Sequence, residues 1–208
     1  MSPATRRKPR KSYHHGNLRR ALLDEALATI RDRGVEGLTL REIGARLGVS
    51  RTALYRHFAD KSALLTAVAT EGFRLLREDL VSSWERGKGP AEQQAMGVAY
   101  IRFALRNPSH YRVMFSHFVD PALQHPELAT EAAAAFQALV DSIVELQRQQ
   151  FLRPDDPVLM ARHVWAVVHG VAMLAIDGQV CEPGAVEQLT GYALERLRTG
   201  IARTAPEA

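Results

Sequence analysis

The side chains best suited to chemistry lie in one run, positions 37–65, GLTLREIGARLGVSRTALYRHFADKSALL. It gathers the hydroxyls of Thr39, Ser50 and Thr52, the phenol of Tyr55, the bases Arg51, Arg56, His57 and Lys61, and the small Ala53. These groups suit recognition of a polyanion. Arg51 suits a bidentate bond to a guanine edge, and Thr52 and Ala53 suit thymine methyls. Tyr55, His57 and Lys61 suit phosphate oxygens, which fix register without reading sequence. Thr39, with the free amides of a helix start, suits another phosphate.

Local signals say how these side chains are held. Thr39 and Glu42 spell a T-x-x-E capping box that opens a short helix. Gly48 ends that helix with the residue a left-handed turn prefers. Val49 plugs the corner and Ser50 caps the next helix. Leu54 and Phe58 mark that helix and face inward, leaving Arg51, Thr52, Ala53, Tyr55, Arg56 and His57 for solvent or DNA. Asp60 caps a further helix. Two short helices joined by a glycine-containing turn make a helix-turn-helix, placed here at about 40–59. The alternative is a plain three-helix packing unit with incidental charge.

The run Ile43-Gly44-Ala45-Arg46-Leu47-Gly48-Val49-Ser50, followed by Leu54-Tyr55-Arg56-His57-Phe58 and Lys61-Ser62-Ala63-Leu64-Leu65, resembles the DNA-binding domain of the tetracycline-repressor (TetR) family. The lead-in Tyr13-His14-His15-Gly16-Asn17-Leu18-Arg19 is similar to the entry of helix one in many members. The resemblance spans about 13–77. It implies an all-helical homodimer that binds a palindromic operator on double-stranded DNA, usually represses, and is released by a small-molecule effector. It carries over Thr39, Tyr55, His57 and Lys61 as phosphate contacts and residues 51–53 as base readers. Gly44 departs from the usual alanine, for which a slight loss of helix propensity is expected. Thr52 stands where glycine is frequent, which bears on base contacts.

Charge is distributed to match. The 208 residues carry a net charge of +4. Residues 1–65 hold 14 Lys/Arg against 6 Asp/Glu, and the remainder is net acidic. Seven basic and no acidic side chains fall in the first twenty positions, including the arm Arg6-Arg7-Lys8-Pro9-Arg10-Lys11. Such an arm suits the phosphate backbone or the minor groove; the other reading is a solvated tail. Apolar spacing is helical almost throughout, with stops at Gly34, 87–90, Asn107-Pro108, Asp120-Pro121, Asp156-Pro157 and Pro183-Gly184. No alternating run predicts a strand. The expected fold is therefore all-α: a basic arm at 1–16, a DNA-binding domain at 17–77, and a C-terminal regulatory and dimerisation domain at 78–204.

In the C-terminal part, the apolar residues of 157–179 cover more than one face, so that helix should bury one side in its own domain and another against a second copy. Val167, Val171, Leu174, Leu189 and Leu197 are the dimer-interface candidates; the alternative is the central helix of a monomeric bundle. Phe103, Tyr111, Met114, Phe115, Phe136, Trp165 and His169 are candidates for an apolar effector cavity, or else ordinary core. Trp165-Ala166-Val167-Val168-His169-Gly170 is similar to the Trp-His-Gly signature of one TetR C-terminal subgroup.

Other chemistries find little support. The histidine spacings match no zinc site, so no metal and no cofactor are expected. No catalytic residue is assigned, because no nucleophile elbow, P-loop or dinucleotide glycine pattern occurs. A catalytic or carrier bundle with a basic tail is the competing function class. Cys181, the single cysteine, is expected to be buried and excludes an internal disulfide, which suits a reducing cytoplasm. No apolar run follows the basic start, so no secretory leader is expected. The longest apolar stretch, 164–176, is shorter than the ~18–20 residues that span a bilayer, so no membrane partner is expected.

Overall fold

The computed structural model describes residues 18–117 and 125–201. The basic arm and the 13–17 lead-in lie outside these residues. Among the described residues there are nine α-helices and no β-strand: α1 (Leu18–Arg33), α2 (Leu40–Leu47), α3 (Arg51–Tyr55), α4 (Lys61–Trp84), α5 (Pro90–Arg106), α6 (Pro108–Met114), α7 (Pro126–Arg148), α8 (Pro157–Ile176) and α9 (Ala185–Ile201). The chain divides into two compact units, the first ending at Lys61 and the second beginning at Ser62.

In the first unit, α2 packs on both α1 and α3. Leu22, Ala26 and Ile30 of α1 and Ile43 of α2 are fully buried, which follows from their three- and four-residue spacing. Gly34 ends α1 at φ +75°, and its N–H donates to the Ile30 carbonyl at 2.9 Å. The corner after α2 is built at Gly48, φ 67°. There the Gly48 N–H donates to the Ala45 carbonyl at 3.1 Å and the Val49 N–H to the Gly44 carbonyl at 3.0 Å. Two helix ends are thereby satisfied in very few residues.

Several local expectations change. The third helix is only Arg51–Tyr55; Phe58 lies beyond it, its N–H donating to the Leu54 carbonyl at 3.2 Å. Only half of the capping box forms. Thr39 Oγ1 accepts from the Glu42 N–H at 3.3 Å, but the Glu42 carboxylate turns to Arg33 and to Arg46 at 3.0 Å. Two guanidinium groups outcompete one backbone amide for the carboxylate. Arg46 also reaches Glu25 at 3.1 Å, which laces α2 to α1. Gly44 does more than cost propensity: a methyl there would stand 2.9 Å from Leu54 Cδ1, so glycine permits the close α2–α3 crossing.

In the second unit, α8 packs on α5, α7 and α9, and α5 also meets α6 and α9. Asp156 caps α8, with Oδ1 accepting from the N–H groups of Val158 at 2.8 Å and Leu159 at 2.9 Å. The helix expected at 157–179 forms as α8, and although its longest apolar run is 13 residues, its 20 residues are long and apolar enough to cross a membrane by length and composition. It is nevertheless a packed helix here, burying Met160, Ala161, Val164, Val168, Val171 and Ala172 and carrying Arg162 and His163 on its exposed side. Cys181 is exposed, against expectation. It falls in the connection before α9, where no helix face draws it inward.

Candidate nucleic-acid interface and ligand cavity

The first unit presents one polar face around α3. Leu54 and Phe58 are buried at 2% and 3% exposure, whereas Arg51, Thr52, Tyr55, Arg56 and His57 are exposed and Ala53 is half-buried. The helix is fixed at its start by Ser50, whose Oγ accepts from the Ala53 N–H at 3.2 Å. The Arg51 guanidinium lies over the Tyr55 ring, 5.5 Å from its centroid, a cation–π arrangement that orders both side chains. Beneath, Arg19 covers the Phe58 ring at the same 5.5 Å. Lys61 Nζ donates to the Glu36 carbonyl at 3.3 Å, which holds it near the start of α4. Thr39 and Ser50 use one lone pair each in capping, and their hydroxyl protons remain donors.

The second unit contains a cavity of about 240 Å³. Its walls come from α4 (Phe73, Leu76, Leu80), α5 (Gln93, Met96, Gly97, Tyr100), α6 and the residue after it (Met114, Phe115), α7 (Ala135, Phe136, Leu139), α8 (Val164, Trp165, Val168) and α9 (Leu194, Leu197, Arg198). Of the seven candidates from sequence, Met114, Phe115, Phe136 and Trp165 line it. Phe103 is fully buried away from the lining. Tyr111 and His169 stand one layer behind it.

That layer is a hydrogen-bonded cluster. The Trp165 Nε1–H donates to Tyr100 Oη at 3.0 Å. The hydroxyls of Tyr100 and Tyr111 lie 3.0 Å apart, and His169 Nδ1 lies 3.1 Å from the first and 2.7 Å from the second. The imidazole meets both hydroxyls at Nδ1 as a neutral ring, and which group donates along each edge follows its tautomer. Burial agrees with that state, pushing the His169 pKa below its ordinary value and the Tyr100 phenol up to about 12. Phe115 packs against the group, tilted to Tyr111 at 4.8 Å and edge-to-face with His169 at 4.6 Å between ring centroids. Sequence reasoning missed Tyr100 as a lining residue. Its signal was its place three residues after Gly97 and four after Met96 on one stripe of α5.

The dimer candidates divide. Leu174 is 44% exposed, Val167 and Leu189 are half-buried, and Val171 and Leu197 are buried within the protomer.

A family model described as tetracyclin repressor-like, C-terminal domain, matches residues 93–197. One described as bacterial regulatory proteins, tetR family, matches residues 22–68. The chain belongs to the TetR family. Members are transcriptional regulators that bind DNA, and this chain carries both of the family's parts. Over 51 residues it is 51% identical to the Tetracycline repressor protein class C of Escherichia coli, an alignment spanning 24% of this chain and 23% of that repressor. It is 25% identical over 192 residues to the HTH-type transcriptional regulator BetI of Cronobacter sakazakii, covering 90% and 93% of the two chains. A solved structure of a protein of unknown function from Rhodococcus sp. RHA1 superposes with a TM-score of 0.81 at 31% identity, covering 93% of this chain and all of that one. The TetR assignment therefore rests on both units. The short, strong likeness to the tetracycline repressor is confined to a fraction of each chain, whereas the likenesses to BetI and the Rhodococcus protein are end to end.

Proposed function

We propose that the chain is a sequence-specific repressor that binds a palindromic operator as a homodimer and is released when a small molecule enters the second-unit cavity. The observation that carries this is the α3 face: a capped, glycine-cornered helix whose Leu54 is buried, with Arg51, Thr52 and Tyr55 on it and Arg56 and His57 just past its end all in solvent. Arg51, Thr52 and Ala53 read base edges, while Thr39, Ser50, Tyr55, Arg56, His57 and Lys61 hold phosphates. Regulation through binding, without catalysis, is the activity, and work on bacterial DNA places it in the cytoplasm.

The dimer surface follows the outward stripe of α8: Leu159, His163, Ala166, Val167, Gly170 and Leu174. Leu159 and Leu174 are 66% and 44% exposed, and a methyl added at Gly170 would meet nothing within 4 Å. A flat apolar stripe with small residues is suited to a second helix. Leu189 adds to it from α9, and Val171 and Leu197 support it from inside. Trp165, His169 and Gly170 favour the Trp-His-Gly subgroup. The effector signal travels through α4, which begins at Lys61 and supplies Phe73, Leu76 and Leu80 to the cavity wall. A ligand changes DNA affinity only as far as it binds one state better than the other.

The test is a gel shift on the DNA upstream of the protein's own gene, against random duplex at moderate salt. Preferential binding is expected, and equal affinity for both would defeat the repressor reading.

A further inference from the structure

Among the described residues, the cavity wall carries one buried polar atom without a counterpart. Trp165 Nε1 and Tyr100 Oη satisfy each other and the cluster behind them. Arg198 is held by Glu195 through two bonds, Nε at 2.9 Å and Nη2 at 2.7 Å, so its charge is already matched. Gln93 differs: its side-chain Nε2 is shielded from solvent and has no hydrogen-bond partner among the described residues, and Gln93 stands in the cavity lining beside Met96, Gly97 and Tyr100. A buried amide donor left unpaired is costly, and proteins keep few of them.

Resting on the reading of this cavity as the effector site, we propose that it takes an uncharged, mainly apolar molecule carrying a single carbonyl-type acceptor, which receives a hydrogen bond from Gln93 Nε2. The volume corresponds to roughly eight water molecules, and so to a small ring or short branched chain. Most of the remaining wall is apolar, including Phe73, Leu76, Leu80, Phe115, Phe136 and Leu194, and Gln94 is a second amide in the lining, on an exposed residue. The apolar residues reward apolar surface in the ligand. An ionised carboxylate would lose its hydration against a mainly apolar wall and a cation already paired, so it is disfavoured.

Full-length protein titrated calorimetrically with acetophenone, ethylbenzene and benzoate tests this, because the three share a ring and differ in the acceptor and its charge. Acetophenone should bind about tenfold tighter than ethylbenzene, the worth of one hydrogen bond to a donor otherwise unpaired. Benzoate should bind weakest. In Gln93→Leu that preference should fall to within about twofold while ethylbenzene affinity holds; Gln93→Met serves if the leucine variant does not fold. Equal affinities in the native chain, a preference that survives both variants, tightest binding of benzoate, or no binding of any probe would each overturn the inference. Operator release is measured in parallel. Gln93-dependent binding that leaves DNA affinity unchanged removes the effector reading and keeps the cavity's chemistry; release by probes with no Gln93-dependent preference does the reverse.

Discussion

Arg51 and Tyr55 stack on each other on the outer side of α3, and the roles proposed for them differ. A guanidinium meets a base edge at two points, while a phenol gives a single bond that a phosphate oxygen can accept. Arg51→Ala should therefore cost about 1–3 kcal/mol on its preferred base and flatten discrimination there. Tyr55→Phe should weaken binding to every fragment about equally. Fragments selected from genomic DNA, with single base changes, separate the two; identical profiles for the two variants would refute the division. His169 sets a second residue-scale expectation. Its neighbours are the phenols of Tyr100 and Tyr111 and the rings of Phe115 and Trp165. Burial depresses its pKa in the folded chain, while the unfolded imidazole titrates near ~6.5. Below that pH the unfolded state takes up a proton the folded state refuses, so stability falls as pH drops through about 6.5. His169→Asn should lessen the fall in melting temperature between about pH 7.5 and 5.5 relative to the native chain; parallel curves would exclude the effect.

At the scale of elements, glycines decide how near helices come. Gly97 of α5 faces α9 so closely that a methyl would stand 2.5 Å from Leu194 Cδ2 and 3.3 Å from its Cδ1. Helix propensity favours alanine over glycine by ~1 kcal/mol, but crowding at this crossing opposes it. Gly97→Ala is expected to destabilise the protein by about 1–3 kcal/mol in denaturant titrations. The loss should shrink in a Leu194→Ala background, because removal of the leucine tip empties the space. Additive losses would mean the crossing is not the cause. The same geometry explains the cavity, since a side chain at position 97 would occupy part of it.

For the whole molecule, the stripe on α8 and the basic end of the chain make separate claims. Leu174→Glu puts a charge in the proposed dimer surface without touching the protomer core, so sedimentation should shift from dimer toward monomer while helicity is retained. An unchanged dimer would move the interface elsewhere. DNA binding should weaken steeply with salt, the slope of log affinity against log salt reporting the phosphates neutralised. A flat profile would contradict contact dominated by phosphates. The excess of 14 Lys/Arg over 6 Asp/Glu in residues 1–65 leads to this expectation.

The all-α class, most helix limits and the α2–α3 corner were legible in the chain because they depend on neighbours three or four residues apart: Ser50 with Ala53, Gly48 with Ala45, Leu54 with Phe58. The exposure of the other residues of this stretch followed, since burying Leu54 and Phe58 turns the rest outward. Tertiary structure alone decided the remainder. Glu42 chose arginines over the Thr39 backbone amide because α1 brought Arg33 to it. Tyr100 joined the cavity while Phe103 did not, and Val171 and Leu197 turned inward, because helices far apart in sequence meet on particular faces. Tyr100 and His169, 69 positions apart and 3.1 Å across, are the plainest case; periodicity gives each helix an apolar side, but only packing selects its partner.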